Sequence, residues 1–404
     1  MTRHYLFMCQ PDHGHVIPSL AVVAELVRRG HRVTYLTGGG MAPLVEETGA
    51  GLLCYDSIYA GADLRALESD PLALVSLFLD ESRAMLDAAD RHLAGHPDLR
   101  PDLVVYDLTV LHAGRVLARK LGVPATQLIP IFASNEHYSF LGSVYAGGDA
   151  DPGMPAWVDD MLARTRALAA RHGVEADPAE LWWEVQDSNL VSLPRSFQPA
   201  GDTFDERFAF VGPCLGERGF LSGWEPPDDG LPVALLTFGT VAAGRPELFR
   251  TCVRAFAELP WRGVVTLPPG MDPGYLGPLP PTMEVRRWVS HVSVLRHATV
   301  AVTHGGLGTA MEALHWGCPM VVVPATPIDR VAARRVEELG LGRALDPDAL
   351  TPERLVEAVL AVAGDERVRH RAQAMRGDIG RAGGTTRAAD LLEGRLAEVA
   401  EVMA

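Results

Sequence analysis

The sequence contains no apolar run that approaches the roughly 20 residues needed to cross a bilayer. Residues 1–8 lead directly towards the polar segment His13-Gly14-His15, without the long apolar stretch and small-residue cleavage site of a signal peptide. We therefore expect no association with a membrane and a cytoplasmic location.

Cysteines are few and scattered. The five are Cys9, Cys54, Cys214, Cys252 and Cys318. No Cys-x-x-C motif and no cluster of His and Cys ligands occurs, so the pattern predicts buried reduced thiols rather than disulfides or a zinc site. Two Asp-x-Asp pairs, 149–151 and 346–348, fit turns and helix starts better than a cation site, so we expect no metal.

Positive charge is also in short supply. Lys and Arg total 36 against 51 Asp and Glu, which gives a net charge of −15. An acidic chain without a basic cluster is a poor nucleic-acid binder. Binding of a phosphate would therefore need a specific local site rather than a general positive charge. The 48 % hydrophobic and 22 % charged residues are typical of a globular protein.

Alternating strand and helix patterns indicate an α/β fold. Strands are predicted over residues 5–9, 32–36 and 103–106, with helices over 18–29 and 110–121 that each stop at a glycine. This order is typical of doubly wound parallel sheets.

We divide the 404 residues into two domains of this type, residues 1–212 and 231–385, joined by a Pro- and Gly-rich linker at 213–230. The last segment, 386–404, contains a final helix from about residue 387. Ligands of parallel sheets bind beyond the carboxyl ends of the strands, so the expected site is a cleft between the domains.

A glycine-rich turn provides the strongest chemical signal. A strand at 300–303 leads into His304-Gly305-Gly306-Leu307-Gly308-Thr309 and then a helix that carries Glu312. Close backbone approach and the free N–H groups of the first helical turn favour a phosphate site, with Glu312 within reach of a ribose hydroxyl. A merely structural tight turn is the alternative. Neither the dinucleotide fingerprint nor the ATPase P-loop is present.

Two further signals lie near strand ends. Trp288 is a candidate to stack on a nucleotide base, or else a core tryptophan.

His13 and His15 follow the first strand, and Asp107 follows the strand at 103–106. A histidine held by a carboxylate can accept a proton from a hydroxyl. By itself, His-Gly-His is also compatible with a histidine that only caps or packs against the helix.

The combined motifs resemble those of the family 1 glycosyltransferases of GT-B fold, the macrolide and antibiotic transferases of actinobacteria, and most of all those that act on the enediyne calicheamicin. The residues that carry the resemblance are His13-Gly-His15-x-x-Pro18-Ser19-Leu20, Gly30-His31-Arg32-Val33-Thr34-Tyr35, Pro101-Asp-Leu-Val-Val-Tyr-Asp107, Asn135-Glu-His-Tyr-Ser139, Ser196-Phe-Gln-Pro199, the segment 204–213, and His304-Gly-Gly-x-Gly-Thr309.

The resemblance implies two Rossmann-like domains that face a central cleft, and an inverting transfer without metal or cofactor. It makes His13 the general base and Asp107 the residue that orients it. The final segment, 386–404, would cross back onto the first domain. The residues implied for the nucleotide-sugar donor are Thr240, Trp288, Val289, His304, Gly305, Gly306, Gly308, Thr309 and Glu312.

Two departures from the family's usual motifs bear on the sugar. Trp-x-Pro-Gln is replaced by Trp288-Val289-Ser290-His291, and an acidic-Gln pair by Asp329-Arg330. The glutamine amide, which would bridge sugar hydroxyls, is thus replaced by the longer, positively charged side chain of arginine. We therefore expect a TDP-deoxysugar donor, with UDP-glucose as the alternative.

The acceptor is expected to be a polyketide or enediyne-type natural product. Its pocket is predicted to include Asn135, His137, Trp182 and Trp183, and His137 is a rival for the role of base. Two alternative hypotheses for the function are a non-catalytic partner of a true transferase and a sugar-nucleotide epimerase. The state of assembly is expected to be a monomer or a homodimer.

Overall fold

The computed structural model describes residues 2–59, 62, 71–145, 157–216, 223–239, 245–268, 270–287 and 289–403. Two predicted donor-site residues, Thr240 and Trp288, lie outside these ranges. Within them, no helix has the length and apolar character needed to span a membrane. All five cysteines are free thiols.

The first domain is built on a parallel sheet of seven described strands in the order β3-β2-β1-β4-β5-β6-β7. The strands are β1 (His4–Met8), β2 (Arg32–Gly38), β3 (Gly51–Tyr55), β4 (Leu103–Asp107), β5 (Ala125–Ile129), β6 (Asn189–Val191) and β7 (Phe208–Phe210). The described helices are α1 (His13–Arg28), α2 (Ala42–Glu46), α3 (Pro71–Gly95), α4 (Leu111–Leu121), α5 (Phe140–Tyr145), α6 (Trp157–Arg171) and α7 (Pro178–Trp183).

The second domain has a parallel sheet of six described strands in the order β10-β9-β8-β11-β12-β13. These are β8 (Val233–Thr237), β9 (Arg262–Thr266), β10 (Met283–Arg286), β11 (Ala298–Thr303), β12 (Met320–Val322) and β13 (Gly342–Ala344). The described helices are α8 (Pro246–Ala257), α9 (His291–Leu295), α10 (Leu307–His315), α11 (Pro327–Glu338), α12 (Pro352–Gly364), α13 (Glu366–Ala382) and α14 (Gly384–Met403).

The central strands show why the sheets form. β1, β4 and β8 are buried at every residue, as strands covered by helices on both faces are. All pairs of described strands are parallel, so the carboxyl ends of each sheet lie at a single rim. The predicted α/β class with two parallel-sheet domains is confirmed.

The first helix begins earlier than the sequence pattern suggested. We expected it to start at Pro18, because proline favours the first helical position, but α1 starts at His13. Asp12 caps it, since its carboxylate accepts a hydrogen bond of 2.6 Å from the amide of Gly14. The early start places both histidines in the first turn of the helix.

The final helix lies against the first domain. Ala388, Ala389, Leu392 and Leu396 of α14 are buried in the same apolar cluster as β1 and α1. Glu393 also accepts a hydrogen bond from Arg29 and lies 2.7 Å from Nε2 of His31.

The segment predicted as a linker is partly buried. Trp224 is 4 % exposed. Its backbone amide donates to Ser293 and its indole N–H to Glu284, so this end of the linker belongs to the second domain's core.

Candidate active site

A cavity of about 370 Å³ lies between the two domains. Residues from the carboxyl-end rims of both sheets line it, as expected for parallel α/β domains. His13 and His15 lie on one wall, and His304, Gly305 and Glu312 lie on the other. The cleft therefore brings together the two strongest signals of the sequence.

On the first wall, a carboxylate holds one imidazole. β1 and β4 are neighbours, with Met8 opposite Tyr106, so Asp107 lies beside the turn that leads into α1. Nδ1 of His15 lies 3.0 Å from each carboxylate oxygen of Asp107. The expected pairing of Asp107 with His13 is wrong. The side chain of His15, and not that of His13, reaches over the end of β4 to Asp107.

The charges around His15 set its protonation state. Burial lowers its pKa, but attraction to Asp107, the hydrogen bond with it and the charge of Asp12 outweigh burial and raise the pKa to about 9. The Asp107 side chain is 1 % exposed and also accepts a hydrogen bond of 2.9 Å from the amide of Thr109. The carboxylate is thus fixed and orients the imidazole through Nδ1, which leaves Nε2 for a substrate.

On the second wall, the glycine-rich turn packs closely against the imidazole of His304. Gly305 has a φ of +98°, a backbone conformation that favours glycine. A Cβ on Gly306 would lie 2.5 Å from Nε2 of His304. Gly306 is also the N-cap of α10, and no side chain among the described residues caps this helix end. Because the first-turn amides face the cleft without a side-chain cap, the turn is suited to an anion.

His304 acts on this wall as a neutral group. It is 8 % exposed, and burial lowers its pKa against a smaller rise caused by the nearby Asp329. In the described part of the chain, its Nδ1 has no hydrogen-bond partner. His304 is therefore a neutral imidazole that can donate a hydrogen bond.

Of the sugar-binding pair predicted from the sequence, Asp329 and Arg330, only the first lines the cleft. Asp329 lines the cleft, and its Oδ2 accepts hydrogen bonds from the amides of Ala325 and Thr326 at the start of α11. Burial raises its pKa against the lowering effects of His304 and these bonds. Arg330 is exposed and does not line the cavity. The neighbouring Ile328, 41 % exposed, lines it instead.

The four residues predicted for the acceptor do not line this cavity. Asn135 accepts from the amides of His137 and Tyr138, an arrangement that stabilises its own turn. The His137 side chain is 58 % exposed. Trp182 donates to Thr165 and packs on the buried His112, and Trp183 is 53 % exposed. Their proposed role has no support from the geometry of the cleft.

Several residues of the cleft were missed by sequence reasoning. Arg287, Thr266 and His291 line the cavity beside the donor wall, and Ile328 and Ile131 add apolar surface. The predicted donor residues Val289, Gly308 and Thr309 also line it. A signal for His15 was available, because Asp12 before His-Gly-His marks a helix N-cap and hence a helical spacing of the two histidines. No group of three His, Cys, Asp or Glu side chains among the described residues is arranged to hold a metal.

Comparisons with known proteins agree with this architecture. The family model for the C-terminal domain of erythromycin biosynthesis protein CIII-like proteins matches residues 252–389. The chain is 39 % identical to demethyllactenocin mycarosyltransferase of Streptomyces fradiae, covering 98 % of this chain and 87 % of that protein. It is 36 % identical to the oleandomycin glycosyltransferase of Streptomyces antibioticus, over 95 % and 89 % of the two chains.

Among solved structures, the calicheamicin glycosyltransferase CalG4 is 41 % identical, covers 99 % of each chain and superimposes with a TM-score of 0.88. This similarity extends over both domains and the cleft between them. The chain therefore belongs to the family 1 glycosyltransferases of the macrolide and antibiotic type, and it is a glycosyltransferase.

Proposed function

We propose that this protein is an inverting, metal-independent glycosyltransferase that moves a deoxysugar from a TDP-sugar to a hydroxyl group of a polyketide-type natural product. One observation carries the proposal: the His15–Asp107 pair and the uncapped N-terminus of α10 line the same cavity. A proton acceptor thus lies across the cleft from a site suited to a diphosphate.

In the proposed mechanism, His15 replaces His13 as the general base. Neutral His15 accepts the acceptor's hydroxyl proton at Nε2 while Asp107 holds Nδ1 and stabilises the imidazolium that forms. The freed oxygen attacks the anomeric carbon from the face opposite the diphosphate, which inverts the configuration. A general base in this position contributes on the order of 10²–10⁴-fold to the rate.

The leaving group is stabilised from the other wall. Bond breaking at the anomeric carbon transfers negative charge to the diphosphate. The N-terminal amides of α10, the positive end of its dipole and the neutral imidazole of His304 are fixed in place before the reaction. These groups supply the stabilisation that a metal ion gives in other transferases, so we expect EDTA to leave the rate unchanged.

The lining near the start of α11 supports a deoxysugar. The exposed Ile328 offers an apolar contact there, whereas Arg330 does not line the cavity and one Asp329 oxygen already accepts hydrogen bonds from backbone amides. Fewer hydroxyls on the sugar leave fewer unpaired polar groups against this surface. Relatives named for antibiotic glycosylation make a polyketide-type acceptor the best candidate.

Mass-spectrometric screening tests the proposal. TDP-deoxysugars and UDP-glucose are supplied with a panel of polyketide aglycones, with and without EDTA, and products are analysed for mass and anomeric configuration. We expect an inverted glycoside from a TDP-deoxysugar in both conditions. Equal or better turnover with UDP-glucose would overturn the donor assignment, and no transfer with any pair would favour a non-catalytic partner.

A further inference from the structure

Three polar side chains from different elements meet beside the glycine-rich turn. Nδ1 of His291, the first residue of α9, lies 3.5 Å from Oε2 of Glu312 in α10. Nε2 of the same imidazole lies 3.3 Å from Oγ1 of Thr266, the last residue of β9. All three line the cleft. The imidazole is therefore fixed on both sides, by a hydroxyl and by a carboxylate.

The position of this cluster suits the nucleoside part of the donor. Glu312 is three residues beyond Thr309, and three residues of helix rise about 4.5 Å. A ribose is bonded directly to the α-phosphate, so a diphosphate at the N-terminus of α10 brings the ribose hydroxyls towards Glu312. This step rests on the function proposed above.

The chemistry of the cluster distinguishes two kinds of nucleotide. A carboxylate has about four lone-pair positions, and the two neighbouring hydroxyls of a ribose can bond to both of its oxygens. The Glu312 side chain is 7 % exposed and its Oε2 already faces the imidazole of His291. A 2′-deoxyribose has one such hydroxyl and therefore needs fewer hydrogen bonds from this carboxylate than a ribose does.

We propose that His291 makes the cleft selective for 2′-deoxyribonucleoside diphosphates, because its imidazole occupies the side of Glu312 that a 2′-hydroxyl would otherwise reach. A ribonucleotide then brings a hydroxyl that is buried without a good partner, which weakens binding. His291 is thus a specificity-determining residue for the donor, distinct from the groups that hold the phosphates and from the base.

Calorimetric binding of dUDP and UDP to the intact protein tests this role. These two ligands share the base and differ only in the 2′-hydroxyl, whereas TDP and UDP also differ by the thymine methyl group. We expect the wild-type protein to bind dUDP about tenfold more tightly than UDP, a change of about 1.4 kcal/mol. In His291→Ala the ratio should fall below about threefold, mainly because UDP binds more tightly.

A matched variant controls for the loss of a histidine–carboxylate pair. His297 pairs with Glu225 at 3.2 Å and does not line the cleft, so His297→Ala should keep the wild-type ratio. Folding is checked by circular dichroism, and His291→Ser replaces the alanine variant if that variant does not fold. Equal affinities of the wild-type protein for dUDP and UDP would overturn the inference by themselves.

An unchanged ratio in a folded His291 variant would also overturn it. Failure of the wild-type protein to bind any of dUDP, UDP or TDP would instead reject the proposed function. The two failures are therefore distinguishable.

Discussion

Of the two histidines in the first turn of α1, Asp107 contacts only His15 among the contacts the structure describes. We expect His15→Ala to lower the transfer rate by about 10²–10⁴-fold while the affinity for TDP stays within about twofold, because the proposed base lies on the wall opposite the proposed diphosphate site. His13→Ala is the matched control and should retain most of the activity. Single-turnover rates and calorimetry measure both quantities, and equal losses in the two variants would contradict the assignment.

The raised pKa of His15 predicts a pH dependence of the rate. Only the neutral imidazole accepts a proton, and with a pKa of about 9 its neutral fraction increases roughly tenfold per pH unit below that value. The rate of transfer should therefore rise from pH 7 to about 9. In Asp107→Asn the pKa should fall, so the remaining activity should level off at a lower pH. A wild-type profile already flat at pH 7 would contradict this account.

The same pair affects stability with a defined sign. The pKa of His15 is higher in the folded than in the unfolded protein, where it has its ordinary value of about 6.5. The ion pair thus stabilises the fold fully below about pH 6.5, and this contribution is lost as the pH rises through about 9. Denaturant unfolding across this range should show a decline that Asp107→Asn reduces.

At the scale of elements, the turn between β11 and α10 depends on the small size of Gly306. A Cβ there would lie 2.5 Å from Nε2 of the buried His304, so the imidazole or the turn would have to shift. We expect Gly306→Ala to lower the free energy of unfolding by about 1–3 kcal/mol and to weaken TDP binding. Gly308→Ala is the control, since a Cβ there meets no atom of the described residues within 4 Å. Thermal unfolding of both variants gives the comparison, and equal stability would contradict it.

Strands and their turns were predicted from the sequence more reliably than the residues that meet between them. Continuous apolar runs and glycine stops identified β1, β4 and β11, because burial on both faces leaves a local pattern. The start of α1 was misplaced because Pro18 competed with Asp12 as a start signal. The partner of Asp107 depends on that start, so it was misassigned as well.

Contacts between distant segments left no comparable pattern. His291 and Thr266 come together only because β9, α9 and α10 meet at one rim, and 25 residues separate them along the chain. The acceptor assignments for Trp182 and Trp183 relied on aromatic character alone. One ring instead packs in the core of the first domain, and the other faces outward.

At the scale of the whole molecule, α14 ties the end of the chain to the first domain. Leu392 is 1 % exposed in the cluster that contains β1, while its neighbour Leu391 is 37 % exposed. We expect Leu392→Ala to lower the free energy of unfolding by about 2–5 kcal/mol and Leu391→Ala to change it by less than about 0.5 kcal/mol. Denaturant titrations of both variants test this, and similar small effects would show that the helix does not contribute to the core.

The two domains also contact each other beside the cleft. Arg335 of α11 donates hydrogen bonds to the backbone carbonyls of Ser196, Phe197 and Gln198 in the first domain. Arg334 similarly donates to the carbonyl of Ser143. These bonds connect α11, which borders the cleft, directly to the first domain.

A crystal structure with bound TDP tests the central claim most directly, because it locates the leaving group relative to the base. We predict the diphosphate at the amides of residues 307–309, the deoxyribose beside Glu312, and Nε2 of His15 facing the open space next to the β-phosphate. A diphosphate bound away from the N-terminus of α10, or His15 turned out of the cleft, would contradict the account.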